Sequence, residues 1–590
     1  MIEDIDMQKI GIGYENYKRV IDDGCYYVDK TLLIKDVIEK GGMVTLFTRP
    51  RRFGKTLALS TLRTFFEAEI DRDGKAVDNS RYFEGKMIMD CGEKIVSKIG
   101  QYPVISLSLK SAKQSDFKTA FLSLRDEIVN EYERHGYLIQ DGKVSPEKIK
   151  AYKELRSARG DWAEKIENCG SGDEREELLK QEMGRFCTSL KLLSECLKQY
   201  HGKNAIILLD EYDVPLENAY FSGFYDEMVG FIRSLFESAL KTNDALEFAV
   251  ITGCLRISKE SIFTGLNHLE ISSVLGKGFS EAFGFTQEET EKMLKDYGLS
   301  DKIEEARTWY DGYLFGEKEI YNPWSIIKYI KGIVVDGNKF PKPYWANTSS
   351  NSIIKEMVWQ ADDTVKDELD KLIGGGTIEK KIHEDITYDD IHSSQDNLWN
   401  FLFFTGYLKK VSERFEGEDI YITMKIPNAE IGSIYRNQIT DWFDEVVKGA
   451  DRKMLYNAVL SGDIDTMGTY VSDLLAKSIS YFDGAESFYH GFLLSLLYGV
   501  PGYTPRSNRE EGNGRPDIVL YPNRPKDPAI IFELKTRTKF NQMEDGLEEA
   551  YEQICTQKYE AGILEDGYIG SVSYGVCFCK KSCIFGKYPG

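Results

Sequence analysis

The sequence lacks the long hydrophobic run that a membrane span requires. No apolar segment approaches the roughly 20 residues needed to cross a bilayer. The chain opens with MIEDIDMQKIGIGYENYKRV, which is acidic and mixed and has no apolar signal-peptide core. It also has no internal repeat and no long low-complexity linker. We therefore expect a cytoplasmic globular protein with no membrane partner.

Cysteine pairs and histidine clusters are also missing. The 10 cysteines are scattered without the compact spacing of a disulfide-rich protein, and 6 histidines are too few for a His-rich metal site. One cluster, Cys577, Cys579 and Cys583 in YGVCFCKKSC, lacks a second ligand pair, and its alternation indicates a strand. The sequence therefore favours strand cysteines over a zinc site.

An excess of positive charge is the third absence. The formal net charge of −21 argues against a protein that coats nucleic acid by bulk electrostatics, although it leaves room for a local basic groove. Hydrophobic residues make up 42% and charged residues 29%, as in ordinary globular proteins. A chain of 590 residues is too long for one core, and we expect roughly two to four domains.

The first third of the sequence alternates apolar runs with helical segments. The runs MVTLFTRP, YPVISLSL, NAIILLDEYDVPL and ALEFAVITGCLRIS have the pattern of buried strands. The segment KTLALSTLRTFFEAEI, which follows the first run, has the spacing of a helix. Apolar strands separated by helices predict a parallel α/β sheet with helices on both faces.

The first of these strands leads into TRPRRFGKTLALS, which has most of the phosphate-loop pattern G-x-x-x-x-G-K-[ST] but carries Arg49 at the first glycine position. In such a loop, backbone N–H groups and a helix N-terminus face the phosphates. Lys55 would reach the outer phosphates and Thr56 would coordinate Mg²⁺. A solvated basic turn is the alternative. The candidate nucleotide ligands of this loop are Arg49, Arg52, Gly54, Lys55 and Thr56.

Two later strands end in residues that suit the same site. Asp210 and Glu211 follow an apolar run, and phosphoryl transfer needs one carboxylate near Mg²⁺ and another to orient the attacking water. Asp210 fits the first role and Glu211 fits the second, as a catalytic residue. The next strand ends in Thr252, which could sense the γ-phosphate, and is followed by Arg256, which could stabilise its charge. An acid pair at a strand edge is common, but its combination with Lys55 favours a nucleotide site.

After Gly278 the sequence pattern changes from alternating strands and helices to helices mixed with aromatic motifs. TQEETEKMLKDYGL predicts a helix, with Thr286 as N-cap and Glu289 completing a capping box. LWNFLFFTGYLKKV predicts a helix followed by a strand, as in a small winged-helix or lid-like domain, and the charged segment Glu413–Asp419 predicts a hairpin turn. The aromatic motifs WYDGYLFG and YNPWSI favour the core of a small domain over base-stacking platforms.

The C-terminal part is β-rich and contains a second candidate site. GRPDIVL and IIFELK predict two strands joined by a Pro/Asn/Asp turn. Glu533 and Lys535 share one strand face, and pairing of the two strands would bring Asp517 alongside. Two carboxylates can hold Mg²⁺ while a lysine positions the attacking water, which suits phosphodiester hydrolysis. The apolar neighbours Ile531 and Phe532 favour a buried strand over a surface salt-bridge ladder.

Four flanking residues extend this site. Glu486, on the preceding helix, could complete the metal shell, and Gln553, on the following helix, could touch the scissile strand or orient Lys535. Arg537 and Lys539 continue the basic face and could meet DNA phosphates.

These motifs together resemble a known bacterial family, the predicted AAA-ATPase-like proteins fused to a PD-(D/E)XK nuclease-superfamily domain. The resemblance covers nearly the whole chain and rests on FTRPRRFGKTL, LLDEYDVPL, TGCLRISKESIFTGLNHL, WYDGYLFG, YNPWSI, FYHGFLLSLL, GRPDIVL and FELK. In this family the RPRRFGK loop is the usual form, so Arg49 is no local defect. The nuclease signature maps onto Asp517, Glu533 and Lys535.

The resemblance implies an α/β fold in three parts. These are a P-loop NTPase parallel sheet in residues 1–278, a helical, winged-helix-like lid region in 279–440 and a restriction-endonuclease-like α/β domain in 441–590. It implies ATP hydrolysis coupled to DNA cleavage, with ATP and Mg²⁺ as cofactors, Mn²⁺ as a substitute and DNA as partner. Homo-oligomerisation is left open. A role in defence or mobile-element biology is suggested by analogy alone.

Two alternatives belong to other functional classes. One is a regulatory NTPase switch whose nuclease-like domain binds nucleic acid without cutting. The other is a scaffold that uses ATP to drive oligomer assembly. The presence of Asp517, Glu533 and Lys535 together favours a nuclease.

Overall fold

The computed structural model describes residues 8–71, 73–256, 262–263, 266, 268–338, 340–345, 363–382, 395–437, 451–476, 486–507, 516–524 and 526–589. Contacts within the chain divide it into two compact units. The first comprises Met1–Asn347 with Glu379–Gly432, and the second comprises Thr348–Ile378 with Ser433–Gly590. No helix in the described ranges is long and apolar enough to cross a membrane.

A parallel five-stranded sheet lies in the first unit. Its strands are β1 (Val44–Thr48), β2 (Val104–Ser108), β3 (Ala205–Asp210), β4 (Leu246–Gly253) and β5 (Leu269–Ser272). Their order is β2-β3-β4-β1-β5, and every pairing is parallel. All residues of β1 and β3 are buried, which explains their uninterrupted apolar sequences. The predicted parallel α/β sheet is confirmed.

Helices precede the sheet and connect its strands. They are α1 (Tyr17–Asp22), α2 (Leu32–Lys40), α3 (Lys55–Phe66), α4 (Glu93–Val96), α5 (Phe117–Arg134), α6 (Pro146–Arg156), α7 (Ala158–Glu167), α8 (Gly172–Phe186), α9 (Ser189–His201), α10 (Val214–Ser222) and α11 (Tyr225–Phe236). Helix α3 buries Leu59, Leu62, Phe65 and Phe66, an apolar stripe that packs against β2, β3 and β4. This packing fixes the N-terminus of α3, and with it the phosphate loop, against the sheet.

A small helical subdomain follows the sheet. Its elements are α12 (Gln287–Asp296), α13 (Ile303–Tyr310), β6 (Tyr313–Phe315), β7 (Lys318–Ile320) and α14 (Pro323–Val334). Thr286 and Glu289 form the predicted capping box at the start of α12, with both of its hydrogen bonds present. Tyr310, Tyr321 and Tyr329 belong to a buried cluster, so the aromatic motifs build a core as predicted.

A three-stranded sheet of order β8-β10-β9 follows. Its elements are β8 (Ile378–Lys381), α15 (Gln395–Phe404) before the hairpin, β9 (Lys409–Glu416) and β10 (Asp419–Lys425). The predicted helix with a following strand is confirmed. The predicted hairpin turn is also confirmed, because β9 and β10 pair in antiparallel fashion around Gly417, whose φ of 63° suits glycine.

The second unit contains a mixed five-stranded sheet of order β11-β12-β13-β14-β15. Its strands are β11 (Tyr503–Ser507), β12 (Ile518–Pro522), β13 (Ala529–Thr536), β14 (Ser571–Cys579) and β15 (Ser582–Lys587). Strands β13 and β14 are parallel and the other neighbours are antiparallel. Cys577 and Cys579 are buried within β14, as their alternation predicts. The buried central strand β13 presents the second candidate site.

Further helices complete the second unit. They are α16 (Asp363–Ile373), α17 (Lys453–Ser461), α18 (Ile464–Ala476), α19 (Glu486–Leu497), α20 (Met543–Gln557) and α21 (Tyr559–Glu565). Helix α20 packs against β13 and β14, and α19 packs against β11 and β13. The faces of β13 are therefore close to both helices that carry predicted site residues.

Candidate active sites

Three parallel strands bring the predicted nucleotide residues to one edge of the first sheet. Lys55 and Thr56 open α3 just after β1, Asp210 ends β3, and Thr252 lies near the end of β4. Since β4 pairs with both β1 and β3, its end lies between the loop and the acidic strand end. Carboxyl ends of parallel strands are the usual position of ligand sites in such sheets.

The carboxylate of Asp210 joins these elements. Its Oδ2 accepts a hydrogen bond from Thr56 Oγ1 at 2.6 Å, and its Oδ1 accepts one from Thr252 Oγ1. Asp210 is 4% exposed, so the carboxylate lies in a largely dry position. Carboxylate and hydroxyl oxygens are suitable ligands for Mg²⁺. Asp210 and Thr56 therefore fit a shared magnesium ion and are the residues that would hold it.

The ammonium group of Lys55 is held by its own loop. Lys55 Nζ donates to the carbonyls of Arg49 and Pro50 at 2.8 and 2.9 Å and lies 3.6 Å from Cys254 Sγ. Gly54 precedes the 12-residue helix α3 with a φ of 85°, a conformation that glycine adopts at no steric cost. A helix N-terminus next to a lysine provides the positive potential that a phosphate requires.

Arg49 occupies a different environment from the other loop cations. Its guanidinium is fully buried and donates to the carbonyls of Thr48, Ser272 and Phe279 at 2.9, 2.6 and 3.3 Å. It also lies 5.1 Å from the ring centroid of Phe315, and burial lowers its pKa to about 9. The side chain therefore ties β1 to the segment around β5. The structure does not bring it to the phosphate side of the loop.

The other two loop arginines lie closer to the surface. Arg51 pairs with the carboxylate of Glu217. Arg52 is exposed, has a φ of 70° and places its guanidinium 4.1 Å from the ring centroid of Trp324. The structure thus keeps Arg52 at the loop, where the sequence places it, and adds an aromatic partner that the sequence pattern does not reveal.

Glu211 and Asp213, which follow β3, have different surroundings. Glu211 has a φ of 53°, and burial together with the charge of Asp210 raises the pKa of its carboxyl. Asp213 accepts hydrogen bonds from the backbone N–H groups of Cys254 and Leu255, at 2.7 and 3.1 Å, so it shapes the end of β4. Arg256 follows that turn with a half-buried side chain. Glu211 remains as the acid that is not committed to the backbone.

The second site is centred on β13. Lys535 Nζ lies 3.2 Å from Glu533 Oε1 and donates to Gln553 Oε1 at 2.7 Å. Glu533 is 1% exposed, and burial and the nearby Asp517 raise its pKa to about 7, while Lys535 opposes that rise. The i and i+2 positions thus share a face, and α20 supplies Gln553 to the same face.

Asp517 stands beside this pair at the start of β12. Ile518 pairs with Phe532 across the strands, which sets Asp517 near Glu533. Asp517 Oδ2 accepts a hydrogen bond from the backbone N–H of Leu534 at 2.7 Å. His490 Nε2 donates to the carbonyl of Asp517 at 2.9 Å, so this histidine fixes the backbone behind the carboxylate.

Tyr559, the first residue of α21, belongs to the site although sequence reasoning did not single it out. Its hydroxyl accepts from Gln553 Nε2 at 3.2 Å, and the residue is 1% exposed. Burial raises the pKa of its phenol to about 12, and the charges of Glu533 and Asp517 add to the rise. The available signal was a single aromatic residue in the polar run after Gln553, a pattern too common to point to a site.

The remaining predicted residues are placed less centrally. Glu486 begins α19, but its side chain lies outside the described residues. Arg537 follows β13 and pairs with Glu549 of α20, so part of its charge is compensated. Lys539 is exposed just beyond. The two cations therefore lie at the C-terminal end of the strand that carries Glu533.

The carboxylates of this site fit a hard divalent cation. Glu533 Oε2 is buried and has no hydrogen-bond partner among the described residues. Asp517 lies close enough to raise the pKa of Glu533, and a cation between two carboxylates would relieve that repulsion. In the described part of the chain, no group of three or more His, Cys, Asp or Glu side chains is placed to bind a metal. Glu486, the predicted third ligand, has its side chain outside that part.

Two known proteins are similar to this chain over most of its length. An uncharacterized protein in the vnfD 5′ region of Azotobacter chroococcum mcd 1 is 23% identical over 544 residues, which cover 90% of this chain and 89% of that protein. The Walker-type ATPase PABY2304 of Pyrococcus abyssi aligns with 69% of this chain and 94% of its own, at 14% identity and a TM-score of 0.33.

Two family models match separate parts of the chain. Residues 11–263 match the predicted AAA-ATPase family, and residues 484–588 match the PD-(D/E)XK nuclease superfamily. The first match contains the edge with Lys55 and Asp210, and the second contains Asp517, Glu533 and Lys535. The chain therefore carries an AAA-ATPase-like domain within residues 11–263 and a PD-(D/E)XK nuclease-superfamily domain within residues 484–588.

Proposed function

We propose that this protein hydrolyses ATP in its first domain and cleaves DNA phosphodiester bonds with Mg²⁺ in its C-terminal domain. The observation that carries the proposal is the buried cluster on β13. Lys535 is held between Glu533 and Gln553, and Asp517 lies next to Glu533. A buried ionic cluster is costly to maintain, and carboxyl groups with strongly perturbed pKa values concentrate at functional sites.

Each residue of the C-terminal cluster has a distinct role in this proposal. Asp517 and Glu533 hold the cation, which supplies charge neutralisation at the scissile phosphate. Lys535 positions the attacking water, and Gln553 fixes the direction of the Lys535 ammonium through its 2.7 Å hydrogen bond. Arg537 and Lys539 lie beyond the strand end, where they would contact DNA phosphates on either side of the cut.

The nucleotide site works with the residues at the first sheet's edge. Lys55 exchanges its two loop carbonyls for the outer phosphates of ATP, and Thr56 and Asp210 hold Mg²⁺, which neutralises phosphate charge. Glu211 would orient the attacking water, and Arg256 would add positive charge. Thr252 is fully buried and would act on the γ-phosphate through its hydrogen bond to Asp210. Mn²⁺ is expected to substitute for Mg²⁺ at both sites.

A cleavage assay tests the nuclease part. Supercoiled, linear and single-stranded DNA are incubated with purified protein and Mg²⁺ or Mn²⁺, with and without ATP. Lys535→Met should lower the cleavage rate at least about 100-fold, the usual scale for loss of a proton-handling side chain. Lys526→Met, an exposed lysine in the turn before β13, is the matched control and should cleave as wild type.

Residual cleavage that is the same in wild type and Lys535→Met would point to a contaminant and refute the nuclease assignment. DNA binding without metal-dependent cleavage would instead support a regulatory switch. ATP-dependent assembly that DNA does not change would support a scaffold.

A separate assay tests the ATPase part. Lys55→Met should abolish ATP hydrolysis and weaken ATP binding, because the side chain that meets the outer phosphates is gone. Lys94→Met, on the exposed face of the short helix α4, is the control. Normal binding and hydrolysis by Lys55→Met would show that the loop is not the nucleotide site, without bearing on the nuclease.

A further inference from the structure

Arg52 of the phosphate loop rests on an aromatic ring from another subdomain. Its guanidinium lies 4.1 Å from the ring centroid of Trp324, the second residue of α14. Arg52 also has a φ of 70°, in the left-handed region that costs a non-glycine residue about 1 kcal/mol. Strained backbone of this kind concentrates at functional sites. The strain and the stacking together fix an exposed cation at the mouth of the loop.

The ring of Trp324 is itself firmly held. Its Nε1 donates to the carbonyl of Tyr344 at 3.2 Å, and its backbone N–H donates to the capping side chain of Asn322 at 3.0 Å. The next residue, Ser325, donates to the buried carboxylate of Glu430 at 2.8 Å. The indole is therefore a fixed surface, and Arg52 is the partner whose position depends on it.

An opposite charge competes for the same guanidinium. Partial burial of the guanidinium lowers the pKa of Arg52, and the negative charge of the nearby Glu211 opposes that lowering. Glu211 is also the carboxylate to which the proposed function assigns the attacking water. A direct ion pair between the two groups would occupy the carboxylate and remove the arginine from the loop mouth.

We propose that Trp324 is a positioning residue of the nucleotide site, because its ring holds Arg52 ready for the γ-phosphate and away from Glu211. This inference rests on the proposed ATP hydrolysis. It assigns the YNPW turn a role in the reaction, through a stacking contact between an arginine and an indole. Arg52 supplies positive charge to the transferring phosphoryl group, and Trp324 acts only through Arg52.

The test compares kcat, KM and melting temperature for five variants. Trp324→Leu should lower kcat at least about tenfold and leave KM within about threefold, since transition-state charge stabilisation is lost while ground-state binding persists. Trp324→Phe keeps an aromatic face and should recover most of kcat. Lys328→Ala removes a second cation, 5.0 Å from the same ring, and should behave as wild type.

The double variant provides the decisive comparison. If Trp324 acts through Arg52, then Trp324→Leu should have no further effect in an Arg52→Gln background, because coupled residues are not additive. Additive losses, or equal losses in Trp324→Leu and Trp324→Phe, would overturn the inference. So would a Trp324→Leu protein with normal kcat and only a lower melting temperature, which is the signature of simple packing.

Two controls separate this inference from the proposed function. If wild type does not hydrolyse ATP, or if its hydrolysis does not depend on Lys55, both the proposed ATPase function and this inference fail. If wild type hydrolyses ATP and Trp324→Leu has a normal kcat, the inference alone fails. Should Trp324→Leu fail to fold, fluorescence gives a second measurement. The Trp324 signal, taken as the difference between wild type and Trp324→Phe, should change with ATP, and this change should vanish in Arg52→Gln. Its persistence there would overturn the inference.

Discussion

Replacing Arg49 with glycine restores the common phosphate-loop pattern, yet we expect it to damage the protein. The sequence pattern treats the position as part of the phosphate cradle. In the structure its guanidinium is fully buried and bonds to Thr48, Ser272 and Phe279. The variant therefore removes a tie within the core and leaves the phosphate side of the loop in place, since Lys55 bonds to a backbone carbonyl of residue 49 that glycine retains.

The loss of folding stability in Arg49→Gly follows from the backbone carbonyls that no longer have a hydrogen-bond donor. The carbonyls that accept from Arg49 lose a donor, and each buried acceptor without a partner costs about 1–3 kcal/mol. Glycine adds about 1 kcal/mol of backbone entropy, and relief from burying a cation offsets part of the sum. We expect a net loss of about 3 kcal/mol, which lowers the melting temperature of a domain this size by roughly 6–12 °C.

Calorimetry on the full chain measures this loss. A chain with more than one domain commonly unfolds in more than one transition, so the transition of the first domain is identified by its upward shift with Mg²⁺ and ATP. Arg52→Gly is the matched control on the same loop. Its left-handed φ of 70° suits glycine, so its transition should move by less than about 3 °C.

The refuting result is equally specific. If Arg49→Gly melts within about 2 °C of wild type and binds ATP at least about tenfold more weakly, the guanidinium serves the phosphates. The opposite pattern, a lower melting temperature with ATP affinity within about threefold of wild type, is the one that we expect from the buried hydrogen bonds.

Three further predictions concern single side chains. Gly253→Ala places a Cβ 2.5 Å from the ring of Tyr212, so it should weaken ATP binding and lower the melting temperature, and normal behaviour in both assays would contradict the close packing. Burial raises the pKa of Glu430 in the folded protein from 4.5 to about 7, so the folded state holds this proton more tightly than the unfolded chain does. The folded protein is therefore favoured at low pH, and this contribution to its stability is lost as the pH rises through about 7. Glu430→Gln should therefore melt higher than wild type at about pH 8 and equally at about pH 5, and a pH-independent difference would contradict this reasoning. Tyr559→Phe removes the hydroxyl that accepts from Gln553 and should slow metal-dependent cleavage about tenfold, whereas an unchanged rate would remove the tyrosine from the site.

Local patterns carried the predictions that the structure confirms. The capping box of Thr286 and Glu289 depends on residues three apart. The apolar runs that become β3 and β13 identify buried strands by themselves, because both faces of each strand are covered. The shared face of Glu533 and Lys535 follows from the two-residue period of a strand. Such features need no knowledge of distant residues.

The positions that could not be predicted from the sequence depend on contacts between residues far apart in the chain. Arg49 turns into the core because Ser272 and Phe279, 223 and 230 positions away, offer carbonyls there. Arg52 meets Trp324 only because α14 folds next to the loop. Tyr559 reaches the candidate site on β13 because a separate helix places it there, and its neighbours in sequence give no sign of that.

The two site lysines provide an argument for function that does not depend on family resemblance. Lys55 and Lys535 are only 6% and 9% exposed, and burying an ammonium costs several kcal/mol before its partners offset the loss. Lys55→Met leaves the carbonyls of Arg49 and Pro50 without this donor, but it also removes the cost of burying an ammonium group. We expect these two effects largely to cancel, so that Lys55→Met melts close to wild type. Lys535→Met leaves Glu533 buried beside Asp517 without its cation and should be destabilised, and adding Glu533→Gln should restore much of the loss. If replacing a lysine costs no stability but abolishes activity, the lysine is retained for its chemistry. The Glu533 and Lys535 pair differs, because each member stabilises the other, and its cost of burial is consistent with the cleavage reaction that we propose for it.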